Sequence, residues 1–307
     1  MMNFLVYPIG MTGFWICGFA FMFGSVGAVA NLGGTAPLQN APLSLHIFGH
    51  SVNLLGTTGF FLGGKMYDVG VYALFLFQMV FMDTAVTIPT GAMAERWKTS
   101  SFLVYGFFMS MVLYPVFGNW AWGGGWLAGL GVNLGLGNGY VDFAGSGVVH
   151  SVGGLCGLAG AIVLGPRRGK YRRDGSVRPI MGHHIPMAII GTIILWFGWF
   201  GFNAGSTMGA SGANNMRLAI VATVTMLASA GGAISAMVYM IMKTGKPDPT
   251  MVANGMLAGM VGVTGASGFV SAPAGFLIGT IAGLLACLSV AFLDKIHVDD
   301  PVGAVSV

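Results

Sequence analysis

Of 307 residues, 13 are Lys or Arg and 9 are Asp or Glu, so charge makes up 7% of the chain, against roughly 25% in a soluble globular domain. Hydrophobic residues account for 55% and glycine for 52 positions, with no strict three-residue period, and mean hydropathy is +0.80. So few charges cannot build a water-facing surface, which excludes an ordinary soluble enzyme, a nucleic-acid binder, a disordered chain and collagen, and leaves a polytopic α-helical membrane protein.

The uncharged intervals predict spans near 4–26, 70–97, 101–119, 143–165, 185–207, 217–242, 250–267 and 273–294, since a membrane helix needs about 20 apolar residues. The last two are parted by Gly265-Ala-Ser-Gly268 and Pro273, a turn-like patch. Segments 27–69 and 120–141 are then outward loops and 166–183 a cytoplasmic one. With the first span entering from the cytoplasm, only Lys65 and Arg217 of the 13 basic residues lie outside, a bias that supports eight spans. Cys17, Cys156 and Cys287 sit singly in apolar runs, so neither a zinc site nor a disulfide is expected. No basic region follows Met1, so no cleavable signal peptide is expected.

Asp142-Phe-Ala-Gly145 leads to His150, and Asp300-Pro-Val-Gly303 repeats its aspartate–glycine spacing, ending at Val307. The first lies at an outer helix end and the second at a cytoplasmic one, which is how an inverted repeat in a transporter reads.

Few residues have the means for chemistry. His150 falls eight residues into its predicted span, about 12 Å along a helix, and an intramembrane ionisable group is a functional candidate by default. His46, His50, His183, His184 and His297 belong to loops or helix ends. Asp142 heads its helix, where a carboxylate caps free N–H groups. Asp83 follows Phe81 by two residues, so it points away from the Phe81 face. Phe77 and Phe81 share a helix face. Trp122 precedes three glycines at an outer helix end, and Trp199, Phe200 and Phe202 precede Asn203-Ala-Gly-Ser206 at another. Such aromatics form either an interfacial belt or, with a hydroxyl, a box for a small cation. Composition leaves both open.

Six collinear stretches carry a resemblance: Phe77-Gln-Met-Val-Phe81 running on to Gly91-Ala-Met-Ala-Glu95-Arg96, Trp122-Gly-Gly-Gly125, Asp142-Phe-Ala-Gly145 through His150, His184-Ile-Pro186-Met, Gly198-Trp-Phe-Gly-Phe202-Asn-Ala-Gly-Ser206, and Asp299-Asp300-Pro-Val-Gly-Ala-Val-Ser. In these the chain resembles the ammonium transporter (Amt/Mep/Rh) family, on its transporter branch. The resemblance implies an all-α fold of eleven spans with inverted repeats, of which about eight are present here. It matches Phe81, Trp122 and Ser206 to an outer ammonium-recruitment site, with Phe77 beside it and Asp142 supporting it. Phe81 and Phe202 match a stacked phenyl gate, and His150 the first of two pore histidines. The implied activity is recruitment of NH4+ by cation–π contact, loss of a proton, and passage of NH3 through an apolar pore. No metal, no cofactor and no nucleic acid belong to it. A homotrimer in the plasma membrane, serving nitrogen uptake under a PII-type regulatory protein, is implied as well.

Against the family pattern, the first span, most of the tenth and the eleventh are missing, and Asp83 stands where a small neutral residue is usual. Residues 1–307 are therefore expected to be a single transmembrane domain, incomplete at both ends. The reading frame is expected to extend upstream of Met1 and past Val307, with histidine next, and the 307-residue chain alone is not expected to transport. The rival readings are an ammonium-sensing membrane domain with little conduction and a fragment without activity. An enzyme is not expected, because no nucleophile–base pair or metal-ligand cluster is visible.

Overall fold

A computed structural model describes residues 2–24, 32, 42–64 and 68–307. Lys65 lies outside the described residues, as does much of the segment read as the first outer loop. Helices stand where the spans are expected: α1 (Asn3–Phe23), α2 (Val69–Ala92), α3 (Thr99–Ala121), α4 (Ser146–Leu164), α5 (Ile185–Phe202), α6 (Ala213–Thr244), α7 (Pro249–Thr264) and α8 (Ala272–Lys295). A helix thus occupies each of the eight predicted intervals. Seven helices among the described residues are long and apolar enough to cross a membrane. The exception, α7, has 16 residues, about 24 Å at 1.5 Å per residue. It starts sharply, with Asp248 Oδ1 accepting from the amides of Thr250 (2.8 Å) and Met251 (3.3 Å) and proline at its first position. It ends in the Gly265–Gly268 turn, which the 250–267 reading had partly counted as helix.

The chain separates into two compact units. The first comprises Met1–Thr87, Lys98–Asp142 and Gly147–Val152, and the second Ile88–Trp97, Phe143–Ser146 and Gly153–Val307. In the first, Phe14 stacks on Phe75 (5.8 Å, 20°) and meets Phe19 and Tyr114 edge-on. Phe14, Phe19 and Tyr114 are fully buried, so this aromatic cluster is the unit's core. The outer segment also holds a hairpin, β1 (Pro42–Ile47) and β2 (His50–Gly56), turned by Phe48-Gly49, both at positive φ. Trp120 Nε1–H donates to the Leu54 carbonyl (2.9 Å) and Asn53 Nδ2–H to that of Gly124 (3.2 Å), which docks the hairpin on the end of α3 and the chain following it.

In the second unit, α6, α7 and α8 pack backbone to backbone. A methyl group on Gly232 would run into the Gly255 carbonyl, and one on Gly283 into the Gly232 carbonyl. Only glycine permits such an approach, and in lipid close backbone packing replaces the hydrophobic drive that a soluble core has.

Candidate functional site

In the first unit, α2 places Phe77 and Phe81 four residues apart with ring centroids at 4.7 Å. The Phe81 ring meets Trp122 edge-on at 6.1 Å (81°). Phe81 is 1% exposed, whereas Phe77 and Trp122 are half-buried, so ring faces for a cation come from the latter two. Trp122 ends α3 and is aimed by its own hydrogen bond: Nε1–H donates to the Asp142 carbonyl oxygen at 2.6 Å. The Asp142 carboxylate is buried, and its Oδ2 accepts from the amides of Gly147 and Val148, both at 2.9 Å. It thus satisfies free N–H groups at the start of α4. Burial, the Asp142 charge and a hydrogen bond to Asp142 together push the neighbouring Tyr140 phenol up to about 12. Phe77, Phe81, Trp122 and Asp142 therefore form one corner.

His150 needs a correction of place. The helix begins at Ser146, not 143, so His150 lies in its first turns and not eight residues deep. The reason is the Asp142 clasp, which spends residues 142–145 on a turn with Gly145 at φ +110°. Residues Ser146–Ser151 then wind as a π-helix, a form often found at functional sites. Asp83 lies on α2 two residues beyond Phe81. Its Oδ1 is buried beside Gly10 of α1 and has no hydrogen-bond partner among the described residues.

Phe202 and Ser206 belong to the second unit. Phe202 ends α5, 5.5 Å from Trp199 between ring centroids. Ser206 Oγ donates to the Phe202 carbonyl at 2.8 Å, within a short 3-10 turn, Ala204–Thr207. Around them runs a buried polar chain. Trp199 Nε1–H donates to Thr264 Oγ1 (3.1 Å), which lies 3.1 Å from Asn203 Oδ1, and Asn203 Nδ2–H donates to Thr225 Oγ1 (3.0 Å). This joins α5, α6 and α7. Thr225 and Thr264 are not marked in the sequence, since threonine in an apolar run carries no period or spacing that singles it out.

Asp299 was read only as part of a motif. In the structure it is fully buried between two arginines, Arg96 Nη1 at 2.9 Å and Arg167 Nε at 2.8 Å, and it also accepts from the Arg167 amide. Glu95 completes the cluster at 3.4 Å from Arg167. Burial alone would raise the Asp299 carboxyl, but the hydrogen bonds and charges of Arg167, with the charge of Arg96, hold it below the ordinary carboxylate range. Asp300 makes a similar clasp one residue shorter than that of Asp142. Its carboxylate accepts from the amides of Ala304 (3.0 Å) and Val305 (2.9 Å), and Gly303 sits at φ +79°. The sequence echo is thus a shared local geometry. Among the described residues no group of three or more His, Cys, Asp or Glu could hold a metal ion.

A family profile described as Ammonium Transporter Family matches residues 1–307. The chain belongs to this family. Among its relatives, Ammonium transporter Amt2 of Archaeoglobus fulgidus is 45% identical over 309 residues, covering 100% of this chain and 60% of the relative. The solved structure described as Sensor Amt Protein is similar with a TM-score of 0.83 at 34% identity, covering 100% of this chain and 69% of that one. The crystal structure of Candida albicans Mep2 gives a TM-score of 0.78 at 26% identity, covering 99% and 60%. The chain spans about half to three-fifths of the length of the curated relatives it matches. Membership and seven apolar helices make it a multi-pass membrane protein.

Proposed function

We propose that the protein moves ammonium across the plasma membrane for nitrogen uptake. The observation that carries this reading is the corner of Phe77, Phe81 and Trp122 backed by Asp142, in a chain matched by the family profile throughout. An ammonium ion gains cation–π attraction from the half-buried faces of Phe77 and Trp122, worth about 2 kcal/mol or more once water is excluded. Asp142 contributes in two ways: its carbonyl orients the indole, and its buried charge lies close enough to favour a cation without ligating it. The family resemblance assigns Ser206 the hydroxyl contact, Phe81 and Phe202 the phenyl gate, and His150 the polar contact for NH3 and a possible proton carrier. Potassium is rejected because it has no proton to lose and dehydrates at great cost. Residues 1–307 are a single transmembrane transporter domain, incomplete at both ends, of a homotrimer open to a PII-type regulator at its cytoplasmic face.

The test is ammonium-driven current in proteoliposomes holding the full-length protein. A saturable current with ammonium and none with K+ is expected, and equal currents with both ions would overturn the reading. The likeness to a protein described as Sensor Amt Protein favours a second reading, ammonium sensing with little conduction. Saturable ammonium binding without current would establish that one.

A further inference from the structure

Among the described residues Arg217 is the one basic residue on the predicted outer side, against the charge bias that orients the chain. No carboxylate among the described residues pairs with it. Its guanidinium carbon instead lies 5.0 Å from the ring centroid of Phe143 and 5.5 Å from that of Phe269. The two rings meet edge-on at 5.8 Å (84°). Both distances are within the roughly 6 Å over which a cation is attracted to a ring face, and a planar guanidinium stacks on rings as an ammonium does not.

The three side chains come from separate places in the second unit: the first turns of α6, the turn after α7, and the residue directly following Asp142. Other bonds hold the same segment. The Phe143 amide donates to the Gly265 carbonyl at 2.9 Å. Ser146 Oγ donates to the Val261 carbonyl and accepts from the Gly265 amide, both at 2.6 Å. Gly268 leaves room for the Phe143 ring, which a methyl group there would meet at 2.5 Å. The Phe143 amide and the Asp142 carbonyl belong to one planar peptide group. Fixing Phe143 therefore fixes the direction of the carbonyl that receives the Trp122 indole.

We propose that Arg217 is a positioning residue for ammonium recruitment: a cation–π clamp on Phe143 and Phe269 that sets the Asp142 peptide. This rests on the recruitment reading given above. A bare outer positive charge would act in the opposite sense, by repelling ammonium, so the sign of the effect separates the two roles.

Half-saturating ammonium concentration and maximal rate are to be measured in proteoliposomes for wild type, Arg217→Gln, Phe269→Leu, the double variant and Arg217→Lys. Each of the first two single changes is expected to raise half-saturation about two- to five-fold, the worth of an exposed cation–π contact, with the maximal rate little changed. The double variant should add nothing beyond the larger single effect, and Arg217→Lys should recover part of it. A fall or no change in Arg217→Gln, or additive effects in the double variant, would overturn the proposal. Amide exchange at Gly147 and Val148 needs no transport. Faster exchange in Arg217→Gln supports the clamp even if wild type carries no ammonium, an outcome that would sink the transport reading alone. Unchanged exchange overturns the clamp.

Discussion

The indole of Trp122 is aimed by a single hydrogen bond to the Asp142 carbonyl, 2.6 Å long, and its ring stands nearly perpendicular to that of Phe81, 6.1 Å between centroids. Replacing it by leucine removes the ring face and leaves that carbonyl without its donor. Trp122→Leu is expected to raise the half-saturating ammonium concentration roughly thirty-fold, the loss of about 2 kcal/mol of cation–π attraction. Concentration-dependent uptake in proteoliposomes checks this, and an unchanged curve would mean the cation sits elsewhere. His150 is the other decisive side chain. His150→Ala is expected to abolish electrogenic ammonium transport or to admit K+, while membrane insertion stays normal. Wild-type currents and selectivity in that variant would make it a core histidine of no special role. Phe77, Phe81, Trp122 and Asp142 were legible as candidates because aromatic, acidic and glycine residues are conspicuous in an apolar chain. That Phe81 is buried against its neighbours, leaving Phe77 and Trp122 the half-open faces, was not legible, because burial depends on what α3 brings alongside.

Helix positions follow the charge-free intervals closely, and the departures occur at ends. α4 starts three residues late because the Asp142 carboxylate draws 142–145 into a turn, and α7 stops early at the glycine-rich turn before α8. Both ends are set by specific bonds, which hydropathy does not register. The start of α7 rests on the Asp248 carboxylate, bonded to two amides of the first turn. Asp248→Ala should lower stability by about 0.5–2 kcal/mol, read as a drop in melting temperature in detergent. Asp248→Asn, which keeps an acceptor oxygen, should lose much less. The hairpin of β1 and β2 went unread within an outward loop. Its alternation in Pro-Leu-Ser-Leu-His-Ile and the Phe48-Gly49 turn were present in the sequence, but a two-stranded ribbon is marginal by itself. It is the bond from Trp120 at the end of α3, and that of Asn53 to the chain beyond it, that give the hairpin a place.

At the scale of the second unit, three charges far apart in sequence become one buried cluster. Arg96 follows α2, Arg167 follows α4 and Asp299 follows α8. The Asp299 carboxyl is held below its ordinary value of about 3.9 by the two arginines, against the effect of burial. A folded-state value depressed in this way adds stability that is complete above the unfolded value and lost as pH falls through the folded one. Melting temperature in detergent should thus hold from neutral pH down to about 4 and decline below it. Asp299→Asn should flatten that acid decline. Asp299→Ala, which leaves two buried arginines without their partner, should cost about 3–5 kcal/mol at neutral pH. A variant as stable as wild type would show that water reaches the arginines and that the cluster is not a closed one.

Composition and the spacing of charges by themselves determined that this chain is a polytopic helical membrane protein, roughly where its helices run, and which few side chains differ from an apolar background. They do so because a bilayer admits long uncharged helices and little else, so the pattern is local and can be read one segment at a time. Only the tertiary structure decided which polar groups meet. Asp142 reaches Gly147, Val148 and the Trp122 indole, Thr264 joins Trp199 to Asn203, and Asp299 takes two arginines. Each of these depends on backbone approach between segments distant in sequence, often over glycine, and on the direction a carbonyl or carboxylate points. Neither quantity is written in the hydropathy of a single helix.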